Sequence, residues 1–137
     1  MAKLLALDYG AKRTGVAITD SLQIIASGLT TVQTKELKSF LKQTFSNETI
    51  ETIVIGQANR WDGTSSDIES EILSFIKFLN KTYPTIAIER QDESFTSKLA
   101  MDSLISAGAK KMKRREKGLI DKVSATIILQ AYMERVR

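Results

Sequence analysis

The spacing of apolar residues along this chain changes period several times, and each change marks an element. Residues 3–8 form an apolar run that ends on Asp8, and 14–19 ("TGVAIT") form a second strand. A third strand is expected over 23–32 ("QIIASGLTTV"), bent or bulged at Gly28. The short connections between these three favour antiparallel hairpins. Over 35–46, Leu37, Phe40, Leu41 and Phe45 fall on one helical stripe. "TIVIG" at 52–56 is almost continuously apolar, as in a strand covered on both faces. A helix is expected over 66–82, with Ser66 and Glu69 as a capping box and Ile68, Ile72, Phe75, Ile76 and Leu79 on its inner side. "TIAIER" at 85–90 alternates like a strand, 97–107 reads as a helix closed by Gly108, and a last helix spans about 118–135.

The order βββαβαβαα describes an α/β protein. Three meandering strands are followed by strands reached through right-handed crossovers, which place helices on both faces of a mixed five-stranded sheet. That is the arrangement of the ribonuclease-H-like fold, expected here as a single domain over 1–137. The first strand is central in that fold, which sets Asp8 at a carboxyl end where neighbouring strands also finish.

Composition narrows the chemistry. The chain has neither cysteine nor histidine, so thiolate chemistry, a Ser-His-Asp triad and imidazole ligation are excluded. Catalysis would rest on carboxylates, cations and hydroxyls, and carboxylate ligands suit Mg²⁺ or Mn²⁺ rather than zinc or copper. The opening "MAKLLALDYG" is too short in its apolar stretch for a signal peptide, and no run approaches a membrane span. A soluble, cytoplasmic protein without a membrane partner is expected.

The candidate acids are Asp8, Asp92, Glu93 and Asp121. Asp8 reads either as a solvated turn residue or as a metal-binding carboxylate at the mouth of a buried strand. Asp92 and Glu93 are expected in a turn just after the last strand, where they would either serve a helix N-terminus or hold metal. Asp121 shares a helical stripe with Ala125, Ile128 and Tyr132, and Ser124 lies one turn away. It therefore lines the sheet-facing side, as a dipole partner or as part of a carboxylate cluster with Asp8.

The basic charge is focal. In 110–117 ("KKMKRREK") Lys110, Lys111, Lys113, Arg114, Arg115 and Lys117 face one Glu116, giving +5, while the rest of the chain sums to −1. Such a patch is either a solvated loop or the footprint of nucleic-acid binding. Lys12 and Arg13, just beyond Asp8, are either exposed hairpin charges or phosphate contacts. Trp61 in "ANRWDGTSSD" either packs over the sheet end or stacks on an unpaired base, with Asn59 and Arg60 as further contacts.

Four segments in order carry a family resemblance that covers essentially the whole chain. "LALDYGAKRTGVAI" resembles the opening signature of the YqgF/RuvX family, whose members are described as pre-16S rRNA nucleases or Holliday-junction-resolvase-like proteins. "VIGQANRWDGT" is similar to its G-L-P…D-G-T loop, "QDESFTS" to its D-E-R motif, and "LIDKVSATIILQAY" to its closing helix. Two departures stand out: Gln57-Ala58 replaces Leu-Pro, and Ser94 replaces the arginine, whose charge Lys98 could supply.

The resemblance implies a nuclease using Mg²⁺ or Mn²⁺ in maturation of the 5′ end of pre-16S rRNA. It implies catalytic roles for Asp8, Glu93 and Asp121 and metal ligation by these three with Asp92; a monomer or weak homodimer is expected, junction resolution favouring a two-fold dimer. Branched DNA is the alternative substrate. A non-catalytic RNA-binding assembly factor and an ATP-binding module of the actin/sugar-kinase type are the other classes. The latter needs a second, glycine-rich phosphate loop that this chain lacks.

Overall fold

A computed structural model describes residues 2–57, 66–92 and 117–136. Five strands are present: β1 (Lys3–Asp8), β2 (Arg13–Thr19), β3 (Ala26–Gln33), β4 (Ile50–Gln57) and β5 (Ala87–Asp92). A 3-10 turn (Thr34–Glu36) leads into α1 (Leu37–Asn47); α2 (Ser66–Thr82) joins β4 to β5, and α3 is Lys117–Val136. The sheet order is β3-β2-β1-β4-β5, with β1 antiparallel to β2 and parallel to β4. This is the mixed, β1-centred sheet of the ribonuclease-H-like fold.

Strand alternation divides β1 between two cores. Leu5 and Leu7 join Ile53 and Ile55 of β4 under α1 and α2, where Leu37, Leu41, Ile72, Phe75 and Leu79 are buried. Leu4 and Ala6 point to the other face, with Ala17 and Val54, against Ala125, Ile128, Leu129, Tyr132 and Met133 of α3. The apolar run in β4 is explained in the same way: Ile53, Val54 and Ile55 are fully buried, alternately on the two faces.

Two boundaries differ from expectation. β3 begins at Ala26, not 23. The Asp20 carboxylate accepts hydrogen bonds from the Ile24 and Ile25 amides, at 2.8 and 2.9 Å, and Gln23 takes a positive φ of 56°. That turn leaves Ile24 and Ile25 exposed, so their apolar character signals no strand here. The same two amides hold the Asp20 carboxyl below its ordinary pKa. β5 is shifted towards the C-terminus and includes Asp92 as its last residue, so Asp92 is not in the following turn.

The bulge is where Gly28 predicts it. Pairing jumps from Val16–Thr30 to Ala17–Gly28, leaving Leu29 as the extra residue. Gly28 also lets α3 come close, because a β-carbon there would stand 2.6 Å from Lys122 Cγ and 3.1 Å from Thr126 Oγ1. The expected helix over 97–107 and the basic segment 110–116 lie outside the described residues.

Gly28→Ala should therefore force α3 away from β3 and destabilise the protein by about 1–3 kcal/mol. Urea unfolding at constant m-value checks this; an unchanged midpoint would show that Lys122 yields without cost.

Candidate functional site

Asp8 is the residue of β1 just beyond the buried run Leu4–Leu7, and it is partly exposed. By alternation with Leu4 and Ala6 it belongs to the α3 face. Its surroundings on the sheet are small. Its cross-strand partner on β2 is Gly15, and Gly56 follows Ile55, the partner of Leu7, on β4. Glycine on both sides contributes no side chain at the level of Asp8, and both glycines are buried.

α3 covers this face and runs against the direction of β1. Met133 lines a cleft with Ala26, level with Thr19 of β2, while Lys122 lies at Gly28, level with Ala17. Towards its N-terminus the helix thus approaches the end of the sheet that carries Asp8. Asp121 sits in the first turns of α3, one turn before Ala125, and Ser124 and Ala125 are both buried. The Ser124 hydroxyl is buried without a hydrogen-bond partner among the described residues. The small side chains allow close approach, as the sequence suggests. Asp92 ends β5, opposite Gln57 of β4. Glu93 lies outside the described residues. Among the described residues no three acidic side chains form a metal cluster. Asp8, Asp92 and Asp121 are thus assigned by strand and helix position. As hard oxygen donors they fit Mg²⁺ or Mn²⁺.

The hairpin that carries Lys12 and Arg13 is fixed from outside. Thr34 Oγ1 donates to the Gly10 carbonyl at 2.6 Å and lies 2.9 Å from Thr14 Oγ1. The Thr34 amide donates to the Lys12 carbonyl at 2.9 Å. Gly10 is required by this turn, since a β-carbon there would collide with the Arg13 carbonyl oxygen. This explains why the run turns at glycine two residues after Asp8. Lys12 is exposed and Arg13 partly so.

Sequence reasoning missed the residues that hold the ends of β4 and β5. Arg90 Nε and Nη2 donate to the Ile55 and Gly56 carbonyls at 3.2 and 3.0 Å. Its Nη1 and Nη2 also grip Glu69 of α2, at 3.1 and 2.8 Å. Glu69, expected in a capping box, thus joins α2 to the sheet beside the site. The available signal was an arginine whose strand period points it inward in "TIAIER". On the other face, Arg135 donates to Gln91 Oε1 at 2.8 Å and to the Arg90 carbonyl at 3.0 Å, tying the end of α3 to β5.

Arg60, Trp61, Lys98, Lys110, Lys111, Lys113, Arg114 and Arg115 lie outside the described residues, as does Asn59. Among the described residues no helix is long and apolar enough to cross a membrane.

A family model for RuvX, described as Holliday junction resolvase, matches residues 2–135. The chain belongs to the RuvX family. A RuvX relative from Christiangramia forsetii, named "Putative pre-16S rRNA nuclease", is 55% identical over 97% of this chain and 98% of its own length. A relative of the same name from Bacteroides thetaiotaomicron is 44% identical over 100% of this chain and 99% of its own. The fold of this RuvX chain is similar to the fowlpox virus resolvase solved with Holliday junction DNA (TM-score 0.62, 14% identity, 98% of each chain). It is also similar to T. thermophilus RuvC solved with a Holliday junction substrate (TM-score 0.60, 12% identity, 99% of this chain and 96% of that one).

Two outcomes check how the RuvX site is held. Arg90→Met leaves the Glu69 carboxylate and two carbonyls without their donor and should cost about 1–3 kcal/mol. The double variant with Glu69→Met should recover part of that in the same thermal melt. Gly10→Ala should open the hairpin and weaken nucleic-acid binding several-fold, read by fluorescence anisotropy; unaltered affinity would show that the turn does not shape the binding surface.

Proposed function

We propose that this chain is a divalent-metal-dependent nuclease that hydrolyses a phosphodiester bond at the 5′ end of pre-16S rRNA. It would act in the cytoplasm as one domain over 1–137, a monomer or weak homodimer. The observation that carries this reading is Asp8, at the carboxyl end of the central strand with glycine on both neighbouring strands and on the face that α3 covers. Family membership and the names of the full-length relatives support it.

Asp8, Asp121 and Glu93, with Asp92, would hold Mg²⁺ or Mn²⁺. The metal supplies Lewis-acid activation of water and charge stabilisation at the phosphate. The protein's own work is positional. Strand β1 is fixed by two cores, so the Asp8 carboxylate has little freedom to follow an incoming ligand. The Thr34-pinned turn would present Lys12 and Arg13 to a phosphate adjoining the scissile one. Arg90 keeps the ends of β4 and β5 in register beside the site. Trp61 would stack on an unpaired base. Arg60, Lys98, Lys110, Lys111, Lys113, Arg114 and Arg115 would contact the backbone.

Branched DNA is the second reading, favoured by the description of the family model. A single compact basic segment suits one strand crossing the site better than four radiating duplexes.

The expected outcome is that Asp8→Asn and Asp121→Asn each abolish cleavage of a pre-rRNA 5′ leader in Mn²⁺ while circular dichroism and melting stay native-like. Wild-type activity in either variant removes that residue from the site. Symmetric nicking of a four-way junction faster than RNA cleavage, at equal salt and Mg²⁺, would establish the resolvase reading instead. Neutralising the basic residues of 110–115 should lower the salt dependence of binding, by roughly 0.7–0.9 in slope for each phosphate the segment no longer neutralises.

A further inference from the structure

The end of β1 divides its side chains between the two faces of the sheet. Asp8 goes to the α3 side, and Tyr9 goes to the other, where it packs against the α1–α2 core. There Tyr9 lines a cleft of about 390 Å³ together with Lys38 of α1 and Ser70, Glu71, Ser74 and Phe75 of α2. The cleft is shallow and open to solvent. Metal-assisted hydrolysis at Asp8 makes no use of this cleft.

The lining has two parts of different chemistry. One is aromatic: the partly exposed Tyr9 ring is tilted at 41° against the buried Phe75 ring, centroids 5.4 Å apart, and Phe75 in turn stacks on Phe78 at 6.0 Å. The other is a polar rim. Glu71, Ser70 and Ser74 occupy exposed positions on adjoining turns of α2, and Lys38 holds its ammonium 4.3 Å over the Phe78 ring. Glu71 lies near enough to Tyr9 to act with burial in raising the phenol's pKa. A carboxylate and an ammonium therefore border one aromatic surface, immediately beyond the residue that carries the nuclease reading.

The exposed face of one aromatic ring, Tyr9, beside an acceptor and a cationic donor matches a nucleobase, and one base best. The Watson–Crick edge of guanine presents two adjacent N–H donors, which one carboxylate can accept together, next to a carbonyl oxygen, which an ammonium can reach. Adenine and cytosine each present one amino group next to a ring-nitrogen acceptor, which a carboxylate repels. Uracil presents a single N–H between two carbonyls. Bases unpaired from a single strand are commonly read in this way, by aromatic stacking and contacts to the base edge.

We propose that the Tyr9–Glu71–Lys38 cleft is a binding site for an unpaired guanine, one that flanks the cleaved bond when the strand lies across the end of β1. The placement beside the bond rests on the nuclease reading; the guanine site itself does not. A strand held at Asp8 would continue over the end of β1 into this cleft, so the cleft would set the nucleotide preference beside the cut.

Two measurements separate the site from its placement. In the first, protein-detected NMR titrations use guanosine, adenosine, cytidine and uridine 5′-monophosphates without divalent metal. Guanosine monophosphate should bind roughly ten-fold tighter than the others, with shifts at Tyr9, Ser70, Glu71 and Ser74. Glu71→Gln, on an exposed helical position that does not endanger folding, should bring the four within about two-fold. Tyr9→Leu should weaken all four by removing the stacking surface. In the second, single-stranded RNAs that vary only at the positions flanking the cut are cleaved in Mn²⁺. Guanine should be preferred at one of them by wild type and not by Glu71→Gln. Equal binding of all four nucleotides overturns the site, whatever the cleavage result. Selective guanosine binding with no RNA cleavage keeps the site and removes the nuclease reading. Selective binding with cleavage indifferent to both flanking bases overturns the placement beside the bond.

Discussion

Burial of β1 on both faces is the constraint from which the rest of this structure follows. Leu4, Leu5, Ala6 and Leu7 are each buried, and they alternate between two cores. A strand committed in this way has no side chain to spare along its length. Only its ends can carry chemistry, and its backbone is among the least mobile parts of the molecule. Asp8 inherits that rigidity without inheriting the burial. The glycines level with it on β2 and β4, and Ser124 and Ala125 on α3, place no large side chain on this face near its carboxylate.

A second layer of contacts transfers this order to less buried parts. Thr34 makes its three contacts to a turn that has almost no core of its own. Arg90 does the same for the ends of β4 and β5, using donors that a lysine could not arrange, because its planar fork reaches two carbonyls and a carboxylate at once. Both ties are polar, partly buried and far apart in sequence. That combination explains why pattern analysis of apolar residues does not find them.

What the sequence made legible was whatever depends on period. The helices at Leu37–Asn47, Ser66–Thr82 and Lys117–Val136 and the α3 stripe through Ala125, Ile128 and Tyr132 follow from local spacing, the central place of β1 from the order of elements, and the bulge from Gly28 itself. The differences fall where side-chain chemistry overrules spacing. Asp20 captures two amides and turns Ile24 and Ile25 into loop residues. β5 extends to Asp92 because β4 runs to Gln57 and offers a partner there, which a run of "ERQD" does not announce. Of the candidate site, the position of Asp8 was readable, while its glycine neighbours needed strand register. Asp92 and Asp121 are placed only by element, and Glu93 lies outside the described residues.

The docking of α3 has a consequence for the protein's synthesis. Residue 8 leaves the ribosome long before the helix that covers its face, 117–136. Leu4, Ala6, Ala17 and Val54 stay uncovered until that helix emerges, and Arg135 closes on β5 only when the helix has been made nearly to its end. A nascent chain can thus form the α1–α2 core early, yet it cannot assemble both sides of the site around Asp8. The face of the sheet that carries Asp8 is therefore completed last, only as the final turns of α3 are added.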